Sequence, residues 1–406
     1  MLSLLSFLAL LSAGAAAACI LAGAALAVRA AGRPRGPEPA AWPAVTCLKP
    51  VKGLDPGARE NFEAFLALDY PAPLQFLFVV EAEADPAVGV LRELQARDPR
   101  VSLVVAGRAL AGSQKLHNLA RGAPQAAHPV LCVSDSDVRP RPDSLRVLVS
   151  ELLAGAGPVA APAAPPPRGA VAAVCAPVYH TGAANLAARA FQAFSNSDLA
   201  GVLAVQEAVG RTDTLIGGMY VVRRDALDAV GGYPALGPHI CDDGALGMRL
   251  ARRGYRVRAG GGPVAIHLPR ATWREFLSGG HRWWLMARVS APGRFALSLA
   301  LMGPAYGTAL FAARGWAGRL DAWTVAAGPG LALLHGLAAA WVGARCGPPG
   351  LDLRYVWLQP VVDWLEPGFW WAALLWPRIR WRGHCYLVRS NGLAERLEQP
   401  PERHSP

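Results

Sequence analysis

From Leu2 to Val28 the chain carries no charged side chain. About 20 apolar residues suffice to cross a bilayer as a helix, with every backbone group bonded internally. No Lys or Arg precedes the run, and it outlasts the roughly 7–15-residue apolar core of a cleaved signal. A retained membrane anchor over residues 1–30 is therefore expected. The first basic residues after it are Arg29, Arg33, Arg35, Lys49 and Lys52. By the positive-inside rule they place the following chain in the cytoplasm and the N-terminus outside.

Similar runs return only near the other end. Phe295–Ala313 and Ala322–Ala344 are candidate spans within a membrane region of residues 293–376. Val356–Trp376 is a poorer third, because it holds Pro360, Asp363, Glu366 and Pro367. Three full crossings would leave the basic tail, residues 377–406, outside, so this third segment is expected to be re-entrant or interfacial. Of 13 Trp, all but Trp42 lie at or beyond Trp273, as side chains at a membrane–water interface do. Charged residues are only 17% of the chain and hydrophobic ones 53%, which excludes disorder. The net charge of +11 points to anionic lipid surfaces or phosphate-bearing ligands, and no nucleic-acid partner is expected. The seven Cys are scattered without a CxxC pair, so they are read as free thiols.

Between these membrane segments, residues 40–268 have the pattern of an α/β domain. Val45–Leu48, Leu74–Val80, Val101–Val105 and Val130–Val133 are short β-rich runs. Helix-like stretches such as Ala58–Leu68 and Ala87–Arg97 separate them, the signature of βαβ units around a mostly parallel sheet. Residues 154–170 are Pro/Ala-rich and expected to form an exposed loop. Ligands of such sheets bind at the carboxyl ends of the strands. The run Val130–Val133 ends there in Ser134-Asp135-Ser136-Asp137. Two carboxylates so close cannot both stay ionised cheaply without a cation, and a hard divalent ion shared with a diphosphate answers that need. The bland reading, an Asp-rich turn capping a helix, is about as frequent. A second pair, Asp242-Asp243, opens a helix-like segment, where it is either a cap or a general base. Asp85 follows the strand Leu74–Val80 in an Asp-Pro turn. Beyond these, Gly279-Gly280-His281-Arg282-Trp283-Trp284 sits in an amphipathic stretch, residues 269–292, expected to lie on the cytoplasmic leaflet, with a kink possible at its glycines.

The ordered series Asp85, Asp135-Ser136-Asp137, Asp242-Asp243 and Arg282-Trp283 resembles the D, DxD, (E/D)D, (Q/R)xxRW pattern of lipid-directed glycosyltransferases of the GT-A fold, a Rossmann-like α/β architecture. Further stretches match in order: Val45–Gly53 with Asp55-Pro56, Leu68–Pro71, Lys115–Leu119, Pro142-Asp143, Gly217-Gly218-Met219, Arg224–Leu227, Gly231-Gly232, and Trp381–His384 with Tyr386-Leu387. Within that group the chain is most similar to the ceramide glucosyltransferases (glycosyltransferase family 21) and to hopanoid-associated relatives. Two places depart from the pattern. Gly279 stands where the last motif opens with Gln or Arg, and Ser195–Gly210 has no clear match to the acceptor-side segment of the ceramide enzymes.

The resemblance implies an inverting transfer from a UDP-sugar to a lipid hydroxyl, with Mg²⁺ or Mn²⁺ as cofactor. It assigns Asp243 as general base, with Arg282 and Trp283 as further catalytic residues. Pro50, Asp85, Lys115 and Asp135 would bind the UDP-sugar. Gly217, Gly218, Met219 and Asp242 would lie on the acceptor side, and Asp137, Asp135 and His267 would be the metal ligands. The expected reaction is transfer of glucose from UDP-glucose to ceramide or a similar membrane lipid. The alternatives are N-acetylglucosamine transfer to a hopanoid polyol and a non-catalytic lipid-binding protein.

Overall fold

Strand β2 (Leu74–Val80) shows how the sequence builds its sheet. Side chains alternate faces along a strand. Phe76 and Phe78 face the helix Ala58–Leu66, meeting Phe65 and Phe62 edge-on with centroids 5.5 Å apart. Leu77 and Val79 join the opposite core with Leu116 and Leu119 of the helix Gln114–Gly122. Covered on both faces, β2 reads as an unbroken apolar run, as buried parallel strands do. Gly122 has no room for a Cβ, which would lie 2.7 Å from both Leu48 and Val79.

The computed structural model describes residues 2–32, 38–154, 166–197, 199–209, 213 and 215–397. Most of the Pro/Ala-rich stretch expected as a loop, and the last residues of the tail, lie outside them. The strands in chain order are β1 (Val45–Pro50), β2, β3 (Val101–Val105), β4 (Val130–Ser134), β5 (Val138–Arg139), β6 (Val171–Cys175) and β7 (Val178–Thr181). They continue with β8 (Met219–Arg223), β9 (Arg256–Ala259), β10 (Val264–His267), β11 (Arg378–Trp381), β12 (His384–Val388) and β13 (Ala394–Leu397).

The chain forms two units, and neither is continuous in sequence. The globular unit comprises Arg35–Pro177, Thr212–Val264 and Pro377–Pro406. Its seven-stranded sheet has the order β3-β2-β1-β4-β8-β6-β9. Strands β3, β2, β1 and β4 are mutually parallel, and β8 runs antiparallel to both β4 and β6. The tail expected merely as a basic extension instead folds into an antiparallel sheet, β11-β12-β13. That sheet is sewn to the unit by Ile240 N–H donating to Gly392 O and Ala394 N–H donating to Pro238 O, at 3.0 and 2.8 Å.

The second unit comprises Met1–Pro34, Val178–Arg211 and Ala265–Trp376. Among the described residues three helical stretches are long and apolar enough to cross a membrane: Leu4–Ala31, Pro292–Trp316 and Ala322–Cys346. Their mutual packing uses small residues, which let backbones approach closely. Ala13 and Ala16 meet Ala327 and Leu331, and a Cβ on Gly303 would lie 2.6 Å from the Ser12 carbonyl oxygen. Leu4, Leu5, Phe7, Leu8 and Leu11 remain exposed on the first helix, as expected of side chains meeting lipid. The suspect third segment forms the 17-residue helix Gln359–Leu375, about 26 Å long at 1.5 Å per residue and short of the ~30 Å hydrocarbon core. Its Asp363 is buried but satisfied, accepting from Gln359 Nε2 at 2.8 Å and meeting His335 Nδ1 at 3.2 Å.

The amphipathic stretch is the helix Trp273–Ser290, opened by a capping box between Thr272 and Glu275. It runs unbroken through Gly279-Gly280, so the glycines serve packing rather than a kink. A Cβ on Gly279 would sit 2.7 Å from the Phe191 ring, and one on Gly280 2.6 Å from the Phe369 ring. Phe191, Phe194, Phe276, Trp283 and Phe369 form one edge-to-face cluster around this seam. Restoring Gln at 279 should therefore overpack the cluster and destabilise by about 1–3 kcal/mol. The penalty of Gly279→Gln should shrink in a Phe191→Ala background, which a double-mutant cycle of thermal midpoints in detergent would read.

Candidate donor site at the strand ends

The ends of β1, β2 and β4 bring their exit loops together. Asp85, after β2, does not project freely. Its carboxylate accepts from the Gly53 N–H at 3.0 and 3.1 Å and from the Ala87 N–H at 2.9 Å, tying the loop after Pro50 to the loop after β2. Gly53 adopts φ +67°, a left-handed conformation open to glycine.

Strand β4 delivers Asp135 and Asp137, and a buried lysine underlies them. Lys49 of β1 is 0% exposed. Its Nζ donates to Ser134 Oγ at 3.0 Å and to the Asp135 carbonyl at 2.7 Å, and lies 4.4 Å from the centre of the Phe65 ring. Burial lowers its pKa to about 8, against the pull of Asp137 and Asp135. Buried in β1, Lys49 does not belong with the exposed basic residues expected to orient the anchor. On the outer side Asp55 accepts from Ser136 Oγ at 2.7 Å and from the Arg382 guanidinium. Arg382 Nη2 also stands 3.8 Å from Asp137 Oδ2.

Lys115, on the helix Gln114–Gly122, is an internal ion-pair partner rather than a surface lysine. Its Nζ lies 2.8 Å from Asp135 Oδ1 and 3.2 Å from Asp242 Oδ2. Desolvation works against its charge, but Asp135, Asp242 and Asp243 outweigh it and raise the pKa. Asp242 is 3% exposed, and burial raises its pKa to about 6, helped by Asp243 and Asp135 and opposed by Lys115. Asp243 is held by the Gly244 N–H at 2.9 Å and the Cys241 thiol at 3.0 Å, both on Oδ1. A Cβ on Gly217 would lie 2.7 Å from Asp243 Oδ2 and 3.1 Å from Lys115 Nζ, so that glycine clears space for both. Its neighbour Gly218 accepts from the Asp135 N–H at 2.9 Å, and Met219 is in register with Ser134. The Gly217–Met219 segment thus seats the DxD motif.

Three of the residues singled out in the sequence belong to the other unit. Trp283 packs against Phe191, Phe194 and His180 with centroids 5.8, 5.5 and 5.9 Å away. Burial, with Arg282 nearby, lowers the His180 pKa to about 4. His267 ends β10 with its ring closely packed on Gly182, where a Cβ would fall 2.3 Å from it. Lys49, Asp55 and Arg382 went unnoticed as site residues. A lysine inside an apolar strand was the visible signal for the first. The other pair lies in the matched stretches Asp55-Pro56 and Trp381–His384, but nothing local shows that these meet across 327 positions.

A sequence profile of glycosyl transferase family 21 matches residues 6–394. The chain belongs to that family. Its globular unit has the GT-A arrangement, a parallel β3-β2-β1-β4 sheet with the acidic motif at the end of β4. Ceramide glucosyltransferase 1 of Caenorhabditis elegans is 23% identical over 249 residues, 61% of this chain and 50% of the worm protein. The ceramide glucosyltransferase of Candida albicans is 30% identical over 118 residues, 26% of this chain and 22% of the yeast protein. The chain thus spans about half the length of the worm relative. Among solved structures, a mannosyltransferase from Pyrobaculum calidifontis in complex with GDP-Man and Mn²⁺ aligns over 91% of this chain and 98% of its own, at 18% identity and a TM-score of 0.49.

The site is over-supplied with negative charge. Among the described residues, Asp55, Asp135, Asp137, Asp242 and Asp243 are answered by Lys49, Lys115 and Arg382. Burial, with Asp135 and Asp55 adding to it, raises the Asp137 pKa to about 6. Its Oδ1 is buried without a hydrogen-bond partner among the described residues. A hard cation fits such an oxygen. Among the described residues no group of three or more His, Cys, Asp or Glu could hold a metal by itself, so these side chains alone do not complete a cation's shell. Removing the Asp137 charge should relieve the repulsion. Asp137→Asn is expected to raise the thermal midpoint of the chelator-treated protein at neutral pH, and an unchanged or lower midpoint would refute the charge assignment.

Proposed function

We propose that the chain is an inverting glycosyltransferase that moves glucose from UDP-glucose to the hydroxyl of ceramide or a similar membrane lipid. The observation that carries this reading is the joining of Asp135, Asp137, Lys115, Asp242 and Asp243 at the strand ends of a family 21 chain. Relatives named ceramide glucosyltransferases support the choice of sugar and acceptor.

In this reading Asp137, with Asp135, would hold a divalent cation, Mg²⁺ or Mn²⁺. When bound, it supplies Lewis-acid stabilisation of the departing diphosphate. Lys115 fixes the Asp135 carboxylate and adds a positive charge beside it. Asp85 keeps the β1 exit loop and Pro50 in place for the nucleotide. Asp243 takes the proton of the acceptor hydroxyl as it attacks the anomeric carbon opposite the leaving group. Its Oδ1 is pinned by Gly244 and Cys241, so Oδ2 is left on the cleared side at Gly217. Asp242, locked to Lys115 and deeply buried, is the less available of the pair. Arg282 and Trp283 keep the catalytic role that the family pattern gives them.

Chain continuity supports the proposed membrane topology. The globular unit contains residues before and after Pro292–Trp316 and Ala322–Cys346, so the crossings between them must be even in number. Two crossings there and the N-terminal helix as a third fit this proposal, and the positive-inside rule then favours a cytoplasmic globular unit with the N-terminus outside.

Asp243→Asn should abolish transfer while leaving UDP binding within about twofold of wild type; near-normal turnover would remove Asp243 from the role of base. Substrate choice is checked by offering the purified chain UDP-glucose or UDP-N-acetylglucosamine with ceramide, diacylglycerol or a hopanoid polyol, and weighing the products. Glucosylceramide is the expected product. A hopanoid product would move the assignment to that acceptor, and no product from any pair would favour a lipid-binding role.

A further inference from the structure

The tail hairpin holds a feature that the family motifs leave unexplained. Strands β11 and β12 are joined by the two residues Arg382-Gly383, with Trp381 in register with His384. Both turn residues have positive φ, +48° and +80°, as the tightest hairpins of type I′ require. Asn, Asp or Gly normally fills such a turn, and Arg382 is the sole non-glycine with positive φ among the described residues. An arginine kept in a sparsely populated conformation points to a task for its side chain.

That side chain reaches the acidic cluster. Both terminal nitrogens bind the Asp55 carboxylate, and Nη2 also lies 3.5 Å from Ser136 Oγ and 3.8 Å from Asp137 Oδ2. Asp55 itself is turned toward Ser136, inside the DxD motif. The Arg382 side chain is 36% exposed, so its contact with Asp55 is not sealed from an incoming ligand. A planar fork beside a carboxylate that would carry a cation is suited to a second anionic group on that cation, and phosphate oxygens match it in spacing. The hairpin tip is anchored independently, because His384 sits between Lys52 Nζ at 2.9 Å and Arg396 Nη2 at 2.7 Å.

Resting on the donor reading above, we infer that the tail sheet completes the donor site and that Arg382, aligned by Asp55, binds the terminal phosphate of a nucleoside diphosphate, stabilising it as leaving group. The acceptor of the Arg382 hydrogen bonds would be the phosphate that carries the sugar before transfer and the new negative charge after it.

Full-length protein in detergent with Mn²⁺ is titrated with UDP and UMP, and in parallel with GDP and GMP. For Arg382→Ala the expected result is a loss of at least tenfold in diphosphate affinity, with monophosphate affinity changed less than twofold. Arg382→Lys should fall between and keeps the comparison possible if the alanine variant folds poorly. An unchanged ratio of diphosphate to monophosphate affinity in either variant would overturn the role of Arg382 while leaving the donor reading intact. Wild-type protein that binds neither diphosphate would overturn the donor reading and this inference with it.

Discussion

Crowded carboxylates at the end of β4 are the constraint around which the globular unit is arranged. Asp135 and Asp137 are brought there by a strand that is itself wholly buried. Like charges in such a place are tolerable only when each is answered by a cation, a hydrogen bond or a proton. Lys49 answers from beneath, Lys115 from the neighbouring helix and Arg382 from a tail more than two hundred residues downstream. The balance still falls short, which is why burial and mutual repulsion raise Asp137 and Asp242 toward neutrality. In the donor reading, the missing charge would come from a cation bound there.

The same requirement explains why the globular unit is assembled from separated pieces of chain. The β1–β4 segment, the Gly217–Met219 segment and the tail hairpin each contribute to one cluster, and the membrane helices lie between the last two in sequence. With the tail returned to the globular unit, any crossings by the intervening candidate spans must be even in number. Helix length agrees: Pro292–Trp316 and Ala322–Cys346 can span, while Gln359–Leu375 is short and buries its Asp363 against Gln359 and His335.

Much of this could be read from the residues alone, where the signal is local. The strand Leu74–Val80 is found with the same limits because a buried parallel strand is a continuous apolar run, and the N-terminal helix is visible as a run without charge. Legibility ends where a contact depends on the folded chain. Lys49 looked like one more base following the anchor, since only the register of β1 against β4 shows that it points beneath Ser134. Gly279 looked like a lost motif residue, and its reason is the ring of Phe191 on a distant helix. Asp55 and Arg382 meet across 327 positions, and neither carries a local mark of that meeting.

The central claim is that the acidic cluster is a cation-dependent site for a nucleoside diphosphate. Calorimetric titration of UDP into the full-length protein tests it most directly, performed once with Mn²⁺ and once after chelation. The account predicts binding with Mn²⁺ and a loss of at least tenfold without it. Binding of equal strength in both conditions, or none in either, would contradict it.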